Sequence, residues 1–193
     1  VIDFYLAAKE VGIKPIIGCE VYVAERSRFD KVHGIDNVRY HLVLLCENNT
    51  SYKNLIKMMS DAWINGFYTK PRVDKELLQK YNEGIIALSA CLAGEIPQAL
   101  LEGNYEKAKE IALWYKNVFG KDNFFLELQD HGLEEQIKIN PDIIRLSRET
   151  DIPLVCTNDS HYILKEDARV QKLLICLQTD KTINEDTGLE FST

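Results

Sequence analysis

The chain has no CxxC pair, no apolar run long enough for a bilayer and no excess of positive charge, and each absence removes a class of protein. Its five cysteines, Cys19, Cys46, Cys91, Cys156 and Cys176, are odd in number and widely spaced. That fits neither a disulfide framework nor a zinc ribbon, and it favours a reducing, cytoplasmic setting. No apolar run approaches the roughly 18 residues a spanning helix needs, so no membrane partner is expected, and no signal-peptide pattern opens the chain. Lys and Arg number 23 against 30 Asp and Glu, a formal charge of −7. A free-standing nucleic-acid binder needs clustered cations against phosphate, so any DNA contact must draw on something outside these residues. The densest basic pairs, Arg26 with Arg28 and Lys70 with Arg72, read as solvated faces. Only 5 prolines and 10 glycines occur, too few for a disordered linker.

What is present is an alternation of apolar periods over 193 residues, enough for one domain. A helical face in "VIDFYLAAKEVG" carries Phe4, Ala8 and Val11 and stops at Gly12. Because the chain opens on Val1 inside that pattern, a natural N-terminus upstream is expected. "KPIIGCEVYVA" reads as a buried strand, residues 25–39 as a polar loop, and "YHLVLLCEN" as the next strand. A strong amphipathic helix through Tyr52, Leu55, Ile56, Met59, Ala62 and Trp63 follows an Asn49/Thr50 cap. Asp74 caps the short helix "KELLQKY", and "GIIALSAC" is a strand that stops at Cys91. Two helices follow, then the strand "NFFLELQD". Next comes a helical stretch expected to break or restart near Pro141, then the strand "PLVCTND" and a last helix through Val170, Leu173, Leu174 and Leu177. Strands alternating with helices predict a parallel α/β architecture, an open sheet or a barrel, with functional residues where strands end.

Phosphodiester hydrolysis needs polarised oxygens and an activated water, which divalent metals supply through carboxylate, imidazole and thiolate ligands. Asp159 and His161 lie just past the end of a strand and read either as a metal pair or as an Asp orienting a His. Glu20 interrupts an apolar strand, so it either faces solvent by alternation or meets a cation. His41 opens a strand, where a hydrogen-bonded core or edge role is common, and Cys91 reads alone as a small buried hydrophobe. Asp130 and His131 in "LQDHGL" look as ligand-rich, but neighbours on a strand face opposite ways, so at most one would face a site unless the strand has already ended. His33 belongs to the polar loop.

The ordered segments "GIKPIIGCEVYVA", "YHLVLLCENNTSYKNLIKM", "GFYTKPRVDKELL", "IALSACLAGEIP", "ALWYKNVFG", "FFLELQDHGL" and "IPLVCTNDSHY" together resemble the polymerase-and-histidinol-phosphatase (PHP) domain of bacterial replicative DNA polymerase III alpha subunits, along essentially the whole chain. The resemblance implies an α/β fold, a distorted (β/α)7 barrel, incomplete here because the first βα units are missing. It implies residues 1–193 as a partial PHP domain reaching the junction with a polymerase domain near 180–193. It implies metal ligands at Glu20, His41, Cys91, Asp159 and His161 for up to three ions, zinc or manganese. The family's early His-x-His pair, the ligand shortly after it and an Asp-His pair have no counterpart in this chain. The isolated chain is therefore expected to be inactive. His41 stands before its strand's apolar run, whereas ligands of such barrels normally follow theirs. The implied parent synthesises DNA on a template, with magnesium in a polymerase domain outside this chain. DNA and the other holoenzyme subunits are its partners, in the bacterial cytoplasm. For the domain itself three readings stand: a metal-dependent phosphoesterase, with 3'-5' proofreading exonuclease action as its specific form; a scaffold without turnover; or a free-standing phosphatase.

Overall fold

In the computed structural model, which describes residues 1–185, side-chain alternation sorts each strand into a core face and an opposite face. In chain order the elements are α1 (Ile2–Glu10), β1 (Gly18–Ala24), β2 (Arg39–Cys46), α2 (Asn49–Ile64), β3 (Arg72–Val73), α3 (Lys75–Lys80) and β4 (Ile85–Leu88). They continue with α4 (Glu95–Leu101), α5 (Tyr105–Phe119), β5 (Phe124–Leu128), α6 (Glu134–Thr150), β6 (Leu154–Cys156) and α7 (Ala168–Thr179), with a short 3-10 turn at Lys165–Asp167. Val21 and Val23 of β1, Leu42 and Leu44 of β2, Ala87 of β4 and Phe124 and Leu126 of β5 are buried and join one core. Against them pack Leu55 and Met58 of α2, Ile96 of α4, Ala112 and Tyr115 of α5 and Ile143 of α6. Burying a side chain such as Leu126 contributes roughly 1.5–3 kcal/mol. Glu20, Tyr22, His41 and Val43, one residue out of phase, project from the other face.

The strands form one sheet in the order β3-β1-β2-β4-β5-β6. β3 with β1, β4 with β5 and β5 with β6 are parallel. The expectation of a wholly parallel sheet fails at β2, which is antiparallel to both β1 and β4. The connection from Glu25 to Val38 contains no helix to carry the chain back across the sheet, so it returns directly beside β1. The start of β2 therefore lies at the edge where β1 and β4 end, with Ala24 opposite Arg39 and Tyr22 opposite His41. This mixed six-stranded sheet with its helix layer fits the expected incomplete PHP-type barrel.

Several local expectations change. The helix cap is Asn48, one residue earlier than expected, whose side chain accepts from the Thr50 and Ser51 backbone N–H groups while Ser51 answers the Asn48 N–H. α6 runs unbroken through Pro141. The lost backbone hydrogen bond is outweighed by the burial of Ile139, Ile143 and Leu146 on the far side of the helix. Arg28 and Arg72, expected on solvated faces, are buried. Arg28 pairs with Asp74 at 3.0 Å and Asp61 at 2.8 Å, and Arg72 donates to the carbonyls of Gly66, Arg28, Asp30 and Asp36. The two guanidinium groups thus hold the polar loop in place, each matched by carboxylates or carbonyls. The expected junction near 180–193 lies largely outside the described residues.

Candidate metal centre

The register of β1 and β2 builds the first half of the centre. Glu20 lies opposite Val43 and Tyr22 opposite His41, so Glu20 and His41 are diagonal neighbours on one face. Glu20 Oε1 lies 2.6 Å from His41 Nδ1. The Tyr22 ring meets the imidazole edge-on at 5.2 Å and limits its rotation.

The second half comes from the loop after β4. Ala90 takes a left-handed backbone with φ of 64°, which turns the chain back over the sheet edge. The Gly94 N–H then donates to the Cys91 carbonyl at 2.8 Å, and the His41 N–H donates to the Ala93 carbonyl at 3.0 Å. Only glycine fits here, because a Cβ on Gly94 would lie 2.2 Å from the Ser89 carbonyl oxygen. This fold-back sets Cys91 Sγ 3.6 Å from His41 Nδ1. The donor atoms of Glu20, His41 and Cys91 all lie within 4.8 Å of one another, the one such group of three among the described residues.

The Cys91 sulfur and then the Glu20 carboxylate hold a proton on His41 against the cost of burial, pushing its pKa up to about 9. The hydrogen bond from His41 in turn lowers the Glu20 carboxyl below its usual range. A nitrogen, a sulfur and an oxygen around one proton are the donors a borderline-soft cation takes when the proton leaves. Tetrahedral zinc with bonds near 2.05 and 2.3 Å places nitrogen and sulfur ligands roughly 3.6 Å apart. The His41–Cys91 spacing already matches that edge, while Glu20 sits at hydrogen-bond distance and must retreat by about 0.7 Å to become a ligand. The donor set fits a metal.

Asp159 and His161 lie on the loop after β6, outside this three-donor group. Asp159 takes a left-handed backbone with φ of 45°, and its carbonyl lies 2.7 Å from His161 Nδ1. After the His41 hydrogen bond and charge, the His161 charge makes a smaller contribution to lowering the Glu20 carboxyl. Asp130 and His131 both lie past the end of β5 at Leu128, so strand alternation does not separate them. Asp130 closes a turn by accepting from the Gly132 N–H, and neither residue enters the three-donor group. His33 is exposed in the polar loop.

Glu127 of β5 is a further buried carboxylate, outside the ligand set expected from the sequence. It is 4 % exposed, its N–H donates to Ser89 Oγ and its Oε1 accepts from Thr157 Oγ1 at 2.6 Å. Its Oε2 is buried with no hydrogen-bond partner, and burial pushes its pKa up. The available signal was a carboxylate inside "FFLEL", comparable to Glu20 inside its own apolar strand.

Comparison with known proteins gives consistent matches. The family model of the PHP domain matches residues 1–131, a segment that ends before Asp159 and His161. The chain is 45% identical over 193 residues to the DNA polymerase III subunit alpha of Borreliella burgdorferi, covering 100% of this chain and 17% of that protein. It is 48% identical over 193 residues to the same subunit of Treponema pallidum, again covering 100% of this chain and 16% of that protein. With the subunit of Thermus aquaticus the identity is 43% over 192 residues, 98% of this chain and 16% of that protein. The chain therefore spans about one sixth of the length of the curated relatives it matches.

Proposed function

We propose, from the premise that this chain belongs to the PHP domain family, that it is a segment of a replicative DNA polymerase III alpha subunit and that its own chemistry is metal-dependent phosphoester hydrolysis, of the 3'-5' exonuclease kind. The observation that carries the chemical half is the meeting of Glu20, His41 and Cys91 at the sheet edge where β1 and β4 end and β2 begins. Similarity to alpha subunits along the whole of this chain supports the parent. DNA and the other holoenzyme subunits are then the partners, the bacterial cytoplasm is the compartment, and magnesium serves the polymerase domain beyond this chain.

In this reading Asp159 and His161 join Glu20, His41 and Cys91 as ligands. Of zinc and manganese, the Cys91 thiolate favours zinc. A bound divalent cation polarises a phosphoester oxygen and makes water nucleophilic at neutral pH. The protein's own part is to give up the His41 Nδ1 proton, to present the Glu20 carboxylate beside it, and to hold the imidazole against Tyr22 so that the donors stay aimed at one point.

Metal content and degradation of 3'-labelled, mismatched primers by the full-length protein test the reading. Bound metal with mismatch removal that disappears in a His41→Ala variant supports it; no metal together with no mismatch removal rejects it. One observation favours the scaffold reading instead: Asp159 and His161 stand apart from the three-donor group. Under that reading a folded His161→Ala variant keeps its metal content and any nuclease activity unchanged.

A further inference from the structure

His131 lies in the turn between β5 and α6, and its hydrogen bonds fix its tautomer. Its backbone N–H donates to Gln136 Oε1 at 2.8 Å, which makes the other end of that buried amide the NH2 group. Gln136 Nε2 lies 2.9 Å from His131 Nδ1, so it donates and Nδ1 accepts. A ring with a bare Nδ1 carries its proton on Nε2, and Nε2 lies 2.8 Å from the Asn158 carbonyl oxygen. The imidazole therefore donates to the peptide group that leads directly into Asp159.

That peptide needs holding. Asp159 has a φ of 45°, a left-handed conformation that costs a non-glycine residue roughly 1–2 kcal/mol unless its surroundings enforce it. Two residues before Asp159, Thr157 is already tied to the sheet through its N–H to the Leu128 carbonyl and its hydroxyl to Glu127. On the other side, Asn140 of α6 donates to the Gln129 carbonyl and ties the helix to the end of β5. The support behind His131 is thus tied to the end of β5 by hydrogen bonds, and His131 bridges it to the loop after β6.

We propose that His131, as the Nε2–H tautomer braced by Gln136, is a positioning residue that clamps the Asn158 carbonyl and so sets where Asp159 and His161 face. The consequence for the metal centre rests on the functional reading above; the clamp itself is a property of the metal-free chain.

Long-range nitrogen–proton NMR of the metal-free chain with labelled histidine reads the tautomer. An unprotonated Nδ1 and a protonated Nε2 on His131 are expected, and the reverse tautomer overturns the proposal. Amide hydrogen exchange at residues 157–161 is then compared in His131→Ala and His131→Gln variants. Exchange should rise about tenfold or more in His131→Ala with core protection unchanged, and fall back in part in His131→Gln, whose terminal amide can still donate to Asn158. Unchanged exchange in both variants overturns the clamp even if the chain takes no metal, an outcome that would count separately against the functional reading. In zinc titrations His131→Ala should weaken affinity about 10–100-fold, with partial recovery in His131→Gln. If Asp159→Ala weakens zinc while His131→Ala binds it as the parent chain does, the metal reading stands and the positioning role of His131 is refuted.

Discussion

Replacing Gly94 by Ala asks whether the loop after β4 is built to place Cys91. The new Cβ would stand 2.2 Å from the Ser89 carbonyl oxygen and 3.2 Å from the Cys91 carbonyl oxygen and Pro97 Cδ. Relief requires a backbone shift of about 1 Å, because all but the last of these are main-chain atoms that cannot swing aside. The shift breaks the geometry of two hydrogen bonds, Gly94 N–H to Cys91 at 2.8 Å and His41 N–H to Ala93 at 3.0 Å. At about 1 kcal/mol each, with a further 1 kcal/mol or so of residual strain, the loss is about 2–4 kcal/mol. For a chain of this length that lowers Tm by roughly 5–15 °C. Because the same shift carries Sγ away from His41, zinc affinity should also fall about 10–100-fold. Thermal melts in a chelator read the first effect and competitive zinc titration the second. A Cys91→Ser control should weaken zinc while leaving the metal-free Tm almost unchanged. A Gly94→Ala variant within about 1 °C of the parent and equal to it in zinc affinity would refute the reasoning.

Further expectations concern charge and packing. His41 is raised from its usual 6.5 to about 9, so in the metal-free chain its contribution to stability is fully present below about pH 6.5 and is lost as pH rises through about 9. The Tm difference between the parent and a His41→Phe variant in chelator should shrink from pH 6 to pH 10, and a pH-independent difference would contradict it. Asp74 caps α3 through the Leu77 N–H and receives the buried Arg28 side chain and N–H. Asp74→Ala should cost about 3–5 kcal/mol in urea unfolding, and a loss under about 1 kcal/mol would show that the pair contributes little. Pro141→Ala should stabilise the chain by roughly 1–3 kcal/mol, since the residue is exposed and the new N–H restores a helix hydrogen bond; no gain would mean that α6 has already adapted to the ring.

Element existence was legible wherever a period was strong. The core strands and the buried face of α5, Ala108, Ile111, Ala112, Tyr115, Val118 and Phe119, follow directly from spacing in the sequence. The face expected for α2 is only partly right: Leu55 and Ala62 are buried, but Met58 is buried instead of Met59, and Ile56 and Trp63 are exposed, because the helix is rotated relative to the sheet in a way its own period does not set. Strand direction was not read, although the signal was present: residues 25–38 show no helical period, and a connection without a helix returns antiparallel. That one misreading explains why His41 looked misplaced before its strand, because in an antiparallel neighbour the first residues share an edge with the others' last. Arg28 and Arg72 were misread because nearest-neighbour composition cannot show that a loop folds around a guanidinium. The meeting of Glu20, His41 and Cys91 depends on cross-strand register and on the Gly94 fold-back, neither of which spacing encodes. Glu127 carried the same local signal as Glu20, a carboxylate inside an apolar strand, and lacked only a partner identifiable in the sequence.

Zinc-edge X-ray absorption of the zinc-loaded chain, with Cys91→Ser as reference, tests the metal centre most directly. One sulfur scatterer near ~2.3 Å beside nitrogen and oxygen scatterers near ~2.0–2.2 Å is expected in the parent chain, with the sulfur lost in Cys91→Ser. A zinc shell of nitrogen and oxygen alone in the parent chain, or no retained zinc, would contradict a centre built by Glu20, His41 and Cys91.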